Sequence, residues 1–141
     1  MTNKRILGID YGEKKIGLAL GVNDLVSPLT TLDYIPNHKL EEDAFKKIVE
    51  IVEEERISDV VIGLPLVKEQ ETEMSKKIRE FGFVLGEKLP EETVVHYTDE
   101  TGSSKDAVSN AVNMDISKSK RSSEHELAAC EIIRRFVQEI E

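Results

Sequence analysis

Two apolar runs of strand length stand only a turn apart near the start of the chain, and they limit its fold more than any other feature. "KRILGID" (4–10) and "IGLALGV" (16–22) are separated by little more than "GEKK". So short a connection joins antiparallel neighbours, because a parallel return needs a crossover of roughly a dozen residues. Gly12 is expected to supply the positive φ that such a turn favours. "LVSPLTTLDYI" follows, with a third strand expected at 29–35 and Pro28 at its start.

The pattern then changes period. Residues 38–55 place Leu40, Ala44, Phe45, Ile48, Val49, Ile51 and Val52 at helical spacing. "ISDVVIGLPL" (57–66) is apolar on both faces, which suits a central parallel strand. A helix over 72–88 carries Met74, Ile78, Phe81 and Leu85 on one face. A strand over 91–100, a weaker helix over 103–113, a polar, basic loop over 114–123 and a helix over 123–141 complete the chain. Strands separated by helices should run parallel through right-handed crossovers. The expected fold is α/β: a mixed five-stranded sheet, three antiparallel then two parallel strands, flanked by helices. Strand 1 should be central with strand 4 beside it. This is a ribonuclease H-like arrangement, in a single domain spanning 1–141.

The chain has 141 residues, 39% hydrophobic and 33% charged, within the ordinary range for a soluble globular protein. No apolar run reaches the ~18–20 residues that span a membrane, and no signal-peptide pattern opens the sequence. The single cysteine, Cys130 in "LAACEII", cannot form an internal disulfide and reads as a buried thiol. These features point to a cytoplasmic protein with no membrane partner. A net charge of −9 argues against nucleic-acid binding over the whole surface. Local basic clusters remain at Lys4/Arg5, Lys14/Lys15 and "SKSKR" (117–121).

Ligands of open α/β sheets bind beyond the carboxyl ends of the strands. Asp10 ends the first strand, Gly63-Leu64-Pro65 the fourth, and Asp99 and Glu100 the fifth. An isolated acid in an apolar strand is costly to bury without a partner. Carboxylates gathered at one edge suit Mg²⁺ or Mn²⁺, and paired ions of this kind serve phosphodiester cleavage. The alternative for Asp10 is an ion pair with Lys14 or Lys15 in the turn. For Asp99 and Glu100 it is helix capping, a task Ser103 and Asp106 can fill.

"ILGIDYGEKKIGLAL", "VVIGLPL", "DETGSSKDA" and "HELAACEII", in this order over nearly the whole chain, resemble the four motif blocks of the YqgF/RuvX family. Its members are described as pre-16S rRNA nucleases and as Holliday-junction-resolvase-like. The resemblance implies a metal-dependent, cytosolic, bacterial nuclease of ribonuclease H-like fold that trims the 5′ end of the 16S rRNA precursor. Asp10 matches the family's first metal-binding aspartate, and Glu100 the glutamate of its "DER-L-[ST]-[ST]" block. The third family acid, an aspartate in "D-x-x-A-A" at the start of the last helix, is His125 here. Thr101 and Gly102 replace that block's arginine and apolar residue, and "VKEQETE" stands where the family has an Asp-Gly turn.

Ser123 and Glu126 have the spacing of a capping box. His125 shares a stripe with Ala129, Ile132 and Phe136, so it is expected to face the carboxylate edge. There it could ligate Mn²⁺, act as acid or base, or simply fill and hydrogen-bond at the helix start. Glu124 is the fallback third carboxylate. Lys14, Lys15, Lys118, Lys120 and Arg121 are the candidate phosphate contacts; His38 and His96 are assigned no role. The leading reading is a metal-dependent nuclease for structured RNA, with Asp10, Glu100 and His125 as catalytic and metal-binding residues and pre-16S rRNA as the implied partner. One alternative is a Holliday junction resolvase-like nuclease for branched DNA, which would need a dimer presenting two sites. Another is a nucleic-acid- or ribosome-binding protein of the same fold with weakened catalysis. A monomer or weak dimer is expected.

Overall fold

The N-terminal hairpin forms as its spacing requires. In the computed structural model, which describes residues 4–12, 14–23, 25–35, 39–65, 70–99 and 124–140, β1 (Arg5–Tyr11) pairs antiparallel with β2 (Lys15–Val22). β3 (Leu25–Asp33) pairs antiparallel with β2. The chain continues through α1 (Lys39–Glu54), β4 (Asp59–Leu64), α2 (Glu73–Lys88), β5 (Val94–Asp99) and α3 (Glu124–Ile140). β4 lies parallel to β1, and β5 parallel to β4, so the sheet order is β3-β2-β1-β4-β5. The mixed five-stranded sheet with a central β1 is the one expected. The helix expected over 103–113 and the loop over 114–123 lie outside the described residues.

Two local expectations need correction. β3 starts at Leu25, four residues before 29, and contains Pro28 instead of starting after it. Proline is tolerated there because β3 is an edge strand and the ladder bulges between Leu18 and Ala19. Thr30 faces Leu18 while Pro28 faces Ala19, so Leu29 is the extra residue. Gly12, in turn, does not adopt a left-handed φ; its bare backbone is needed for space, because a Cβ there would lie 2.9 Å from His125 Cε1. The left-handed turn residue is Asn23, between β2 and β3, at φ 59°.

Strand alternation divides the core into two layers. Leu7, Ile9 and Tyr11 of β1 join Val60, Ile62 and Leu64 of β4 under α1 and α2, which contribute Phe45, Ile48, Val52, Ile78, Phe81 and Leu85. On the other face Ile6, Ala19 and Val61 meet Ala129, Ile132, Ile133 and Phe136 of α3. α3 lies unusually close to the hairpin: a Cβ on Gly8 would collide with the Ala129 carbonyl and Ile133, and one on Gly17 with the backbone of His125.

The helix ends are locally specified. Arg56 takes φ 54° and Ile57 N–H donates to Val52 O at 2.9 Å, which closes α1 in a Schellman-type turn. Arg5 donates to the Glu55 carbonyl and pairs with its carboxylate at 2.8 Å, tying that end to the start of β1. Thr72 caps α2: its hydroxyl accepts from Ser75 N–H at 3.0 Å, and Ser75 Oγ accepts from Thr72 N–H at 2.7 Å. No described helix is long and apolar enough to cross a membrane.

Candidate active site

Asp10 is the last residue but one of β1, on the α3 side of the sheet. Its neighbour across the hairpin is Gly17. Because Gly17 has no side chain, the first turn of α3 settles directly onto the hairpin. That approach delivers His125, whose Nδ1 lies 2.8 Å from Asp10 Oδ2. The carboxylate is buried, its side chain 7% exposed, while the imidazole is 37% exposed. Among the described residues His125 is the one side chain that hydrogen-bonds Asp10.

The electrostatics follow from this pair. The hydrogen bond to Asp10 raises the His125 pKa above its ordinary value; burial opposes the rise, and the Asp10 and Glu124 charges add to it while Lys15 subtracts. The imidazole therefore keeps its proton to higher pH than a free histidine. With Nδ1 held by Asp10, Nε2 is the nitrogen presented outward. Such a dyad can transfer a proton, bind an anion in its charged form, or offer nitrogen and oxygen donors to a cation.

The parallel register sets what else lies along this edge. Ile9 faces Ile62, Gly63 faces Thr98, and Leu64 faces Asp99, so the ends of β1, β4 and β5 fall in one row. The Asp99 carbonyl accepts from Arg135 Nη1 of α3 at 2.8 Å, and Thr98 donates to Glu139, so the far half of α3 secures the end of β5. Glu100 lies outside the described residues, as do Lys118, Lys120 and Arg121. Among the described residues no three His, Cys, Asp or Glu side chains gather as a metal cluster.

The lysine alternative for Asp10 is not what the structure contains. Lys15 pairs with Asp33 of β3 at 2.8 Å, and both side chains are exposed. Lys14 is exposed in the turn, and its carbonyl accepts from Tyr34 N–H. Both lysines thus stand on the hairpin tip, and the Lys15 charge is felt by His125. Glu126 accepts from Thr31 Oγ1 at 2.6 Å, joining the first turn of α3 to the edge strand. Lys4 and Arg5 are not a free basic patch, since Lys4 pairs with Asp59 and Arg5 with Glu55. His96, given no role from sequence, bonds Asp59 through Nε2 at 2.8 Å at the opposite end of the sheet. The Cys130 thiol is buried, and burial pushes its pKa up to about 11, in keeping with an inert thiol.

Comparison with known proteins agrees with the fold. A protein of Malacoplasma penetrans named "Putative pre-16S rRNA nuclease" is 37% identical over 93% of this chain and 91% of its own. One of Chlorobaculum tepidum with the same name is 32% identical over 96% of this chain and 94% of its own. Among solved structures, Thermus thermophilus RuvC in complex with a Holliday junction substrate superposes with a TM-score of 0.61 at 15% identity, covering 96% of both chains. Fowlpox virus resolvase with Holliday junction DNA gives 0.59 at 11% identity, covering 96% of this chain and 98% of the other. The fold is therefore the ribonuclease H-like fold of these resolvases. The sequence profile of the RuvX family, described as Holliday junction resolvase, matches residues 4–139, and the chain belongs to that nuclease family.

Proposed function

We propose that this chain is a divalent-metal-dependent nuclease that cuts structured RNA at the Asp10 edge of the sheet and acts in 5′-end maturation of pre-16S rRNA. The observation that carries the reading is the 2.8 Å pair of buried Asp10 and accessible His125, at the carboxyl end of the central strand. The names of the relatives from Malacoplasma penetrans and Chlorobaculum tepidum support the RNA substrate. The RuvC and fowlpox complexes support nucleic acid more broadly, with branched DNA as the competing substrate.

The donors present fit Mg²⁺ or Mn²⁺. Asp10 engages one carboxylate oxygen with His125 and leaves the other uncommitted among the described residues. Asp10 and His125 would hold the ion, with Glu100 as the third residue by its match to the family block; a nitrogen donor favours Mn²⁺ over Mg²⁺. An ion there supplies Lewis-acid polarisation of the phosphodiester. The chain's own part is to orient and to move protons. Asp10 fixes the imidazole through Nδ1, and where the ion is held by the carboxylates and does not take Nε2, that nitrogen is left to give a proton to a leaving oxygen or take one from water. Lys14 and Lys15, on the hairpin tip, would meet phosphates, as would Lys118, Lys120 and Arg121.

The test is cleavage of a labelled pre-16S rRNA fragment with Mg²⁺ and then Mn²⁺, beside Asp10→Asn and His125→Ala. Metal-dependent cleavage lost in Asp10→Asn supports the reading. RNA bound but uncut under both metals favours the reading as a binding protein, in which His125 satisfies Asp10 in place of an ion.

A further inference from the structure

On the face of the sheet opposite α3, a groove of about 1050 Å³ runs between α1 and α2. Its floor is the ring cluster of Tyr11, Tyr34, Phe45 and Phe81, with centroid separations of 5.0 to 5.9 Å. Tyr11 directly follows Asp10, and alternation along β1 sends the two side chains to opposite faces. The groove and the Asp10–His125 pair therefore open at the same end of the same strand. Tyr34 donates its hydroxyl to Glu41 at 3.0 Å; burial first, then Tyr11 and Glu41, raise its pKa, so the floor stays neutral.

The rim has a different character. Phe83 of α2 is 69% exposed, and Lys76 lies seven residues earlier on the same helical face, with Lys77 beside it. Arg79 is committed to Glu71 by two bonds of 2.8 and 2.9 Å. Lys76 has only an exposed 3.9 Å pair with Glu73, the kind that contributes little, and Lys77 has no ion pair among the described residues. α2 is the one described helix whose cations (Lys76, Lys77, Arg79, Lys88) outnumber its acids (Glu73, Glu80, Glu87). The groove's own lining holds three cations, Lys76, Lys77 and Arg79, against two acids, Glu41 and Glu80, and on a chain of net charge −9 this local excess favours a polyanion as the occupant.

We propose that this groove seats unpaired nucleotides of a nucleic-acid strand, with a base stacked on Phe83 and phosphates met by Lys76 and Lys77; that this is the strand cut at Asp10 rests on the nuclease reading. An exposed ring beside exposed lysines is the combination that sequence-tolerant single-strand binding uses. The cavity is at the upper limit of small-molecule sites, which suits a segment of polymer.

The experiment is fluorescence anisotropy with a labelled single-stranded RNA dodecamer, full-length protein and EDTA, at several salt concentrations. Phe83→Ala should weaken binding by roughly tenfold. Lys76→Glu/Lys77→Glu should weaken it and reduce the salt slope by about 1.4, the value for two phosphate contacts on a single strand. The exposed α1 pair Lys46→Glu/Lys47→Glu, with the same change in net charge, should have a much smaller effect on affinity and slope. All five positions, three on the groove rim and two in the control, are exposed, and circular dichroism checks that each variant folds. No binding by the wild type at low salt, unchanged binding by both groove variants, or an equal loss in the α1 control would overturn the proposal. So would light scattering that finds a dimer dissociated by Phe83→Ala while RNA affinity is unchanged, since the face would then join two copies. Cleavage assays on the same variants separate the two readings. RNA bound through Phe83 and Lys76 without metal-dependent cleavage leaves the groove and removes the nuclease. Cleavage lost in Asp10→Asn, with groove variants binding as wild type, does the reverse.

Discussion

Gly17 stands directly across the β1–β2 ladder from Asp10, and the first turn of α3 rests on its bare backbone. A methyl group at this position would overlap the His125 backbone, which cannot move without lifting the helix. Gly17→Ala should therefore destabilise the fold by about 1–3 kcal/mol, the usual cost of overpacking, and separate His125 from Asp10. Urea denaturation reads the first effect. The second appears as a His125 imidazole whose NMR titration returns toward that of a free histidine. A variant with wild-type midpoint and wild-type titration would show that the helix seat is not set by this glycine.

The pH dependence of the dyad has a definite sign. The folded-state pKa of His125 lies above its unfolded value, with the Asp10 hydrogen bond as the main cause. Its contribution to stability is complete below the unfolded pKa of about 6.5 and is lost as pH rises through the higher folded value. Asp10→Asn removes the charged acceptor, so the His125 titration should shift down. The stability difference between wild type and Asp10→Asn should then contain a component that shrinks as pH increases across that window. The imidazole is more than a third exposed, so the size of this component is screened by solvent. NMR titration of both proteins, with urea melts at matched pH, would reveal it.

Much of this arrangement was legible in the residues because it is periodic. The short turn between 4–10 and 16–22 determined the hairpin, and the apolar run ending at Leu64 marked a central strand. The stripe through Ala129, Ile132 and Phe136 put His125 on the sheet side of α3. The partner of Asp10 was another matter. The sequence offered a metal ion or a turn lysine; the contact with His125 spans 115 residues and depends on how closely α3 approaches the hairpin. Gly17 and Gly12 carry that information, but Gly12 read as a turn glycine with backbone freedom, and no local pattern marks Gly17 as a helix seat. Pro28 marked a strand end by propensity, whereas edge position and a bulge let the strand run through it. His96 and Asp59 were hidden for a related reason. Their contact needs the parallel β4–β5 register, in which Val61 faces His96, and no local pattern fixes a register between distant strands.

Cys130 gives a direct readout of how firmly α3 is docked. It is 2% exposed, and burial raises its thiol pKa to about 11. In the native protein at pH 8 it should react with a thiol reagent such as DTNB much more slowly than a free cysteine, and at full rate in urea. Gly17→Ala should accelerate the native reaction if it loosens the helix. Rapid labelling of the folded wild type would contradict the docked position of α3.

At the end of the sheet away from Asp10, three elements converge on one acid. Asp59 of β4 is 3% exposed and accepts from Lys4 at 3.2 Å and Ser58 at 2.6 Å, with His96 Nε2 at 2.8 Å. Burial acts to raise its pKa, but the bonds from Ser58, His96 and Lys4 together outweigh it and hold the carboxyl below its ordinary 3.8. Since the folded pKa is depressed, the stabilisation is present above the unfolded value and is lost as pH falls through the folded one. Asp59→Asn should cost about 1–3 kcal/mol at pH 7, because it weakens bonds to two cationic or ionisable partners in a buried site. The cost should diminish as pH falls below the unfolded value of about 3.9 and through the lower folded one. His96 also packs its ring 4.6 Å from Phe136, so the loss should reach α3 and increase Cys130 labelling. Chemical denaturation of both proteins from pH 3 to pH 7 is the measurement. A stability difference that stays constant over this range would mean that the Asp59 charge contributes nothing and that its effect is one of packing alone.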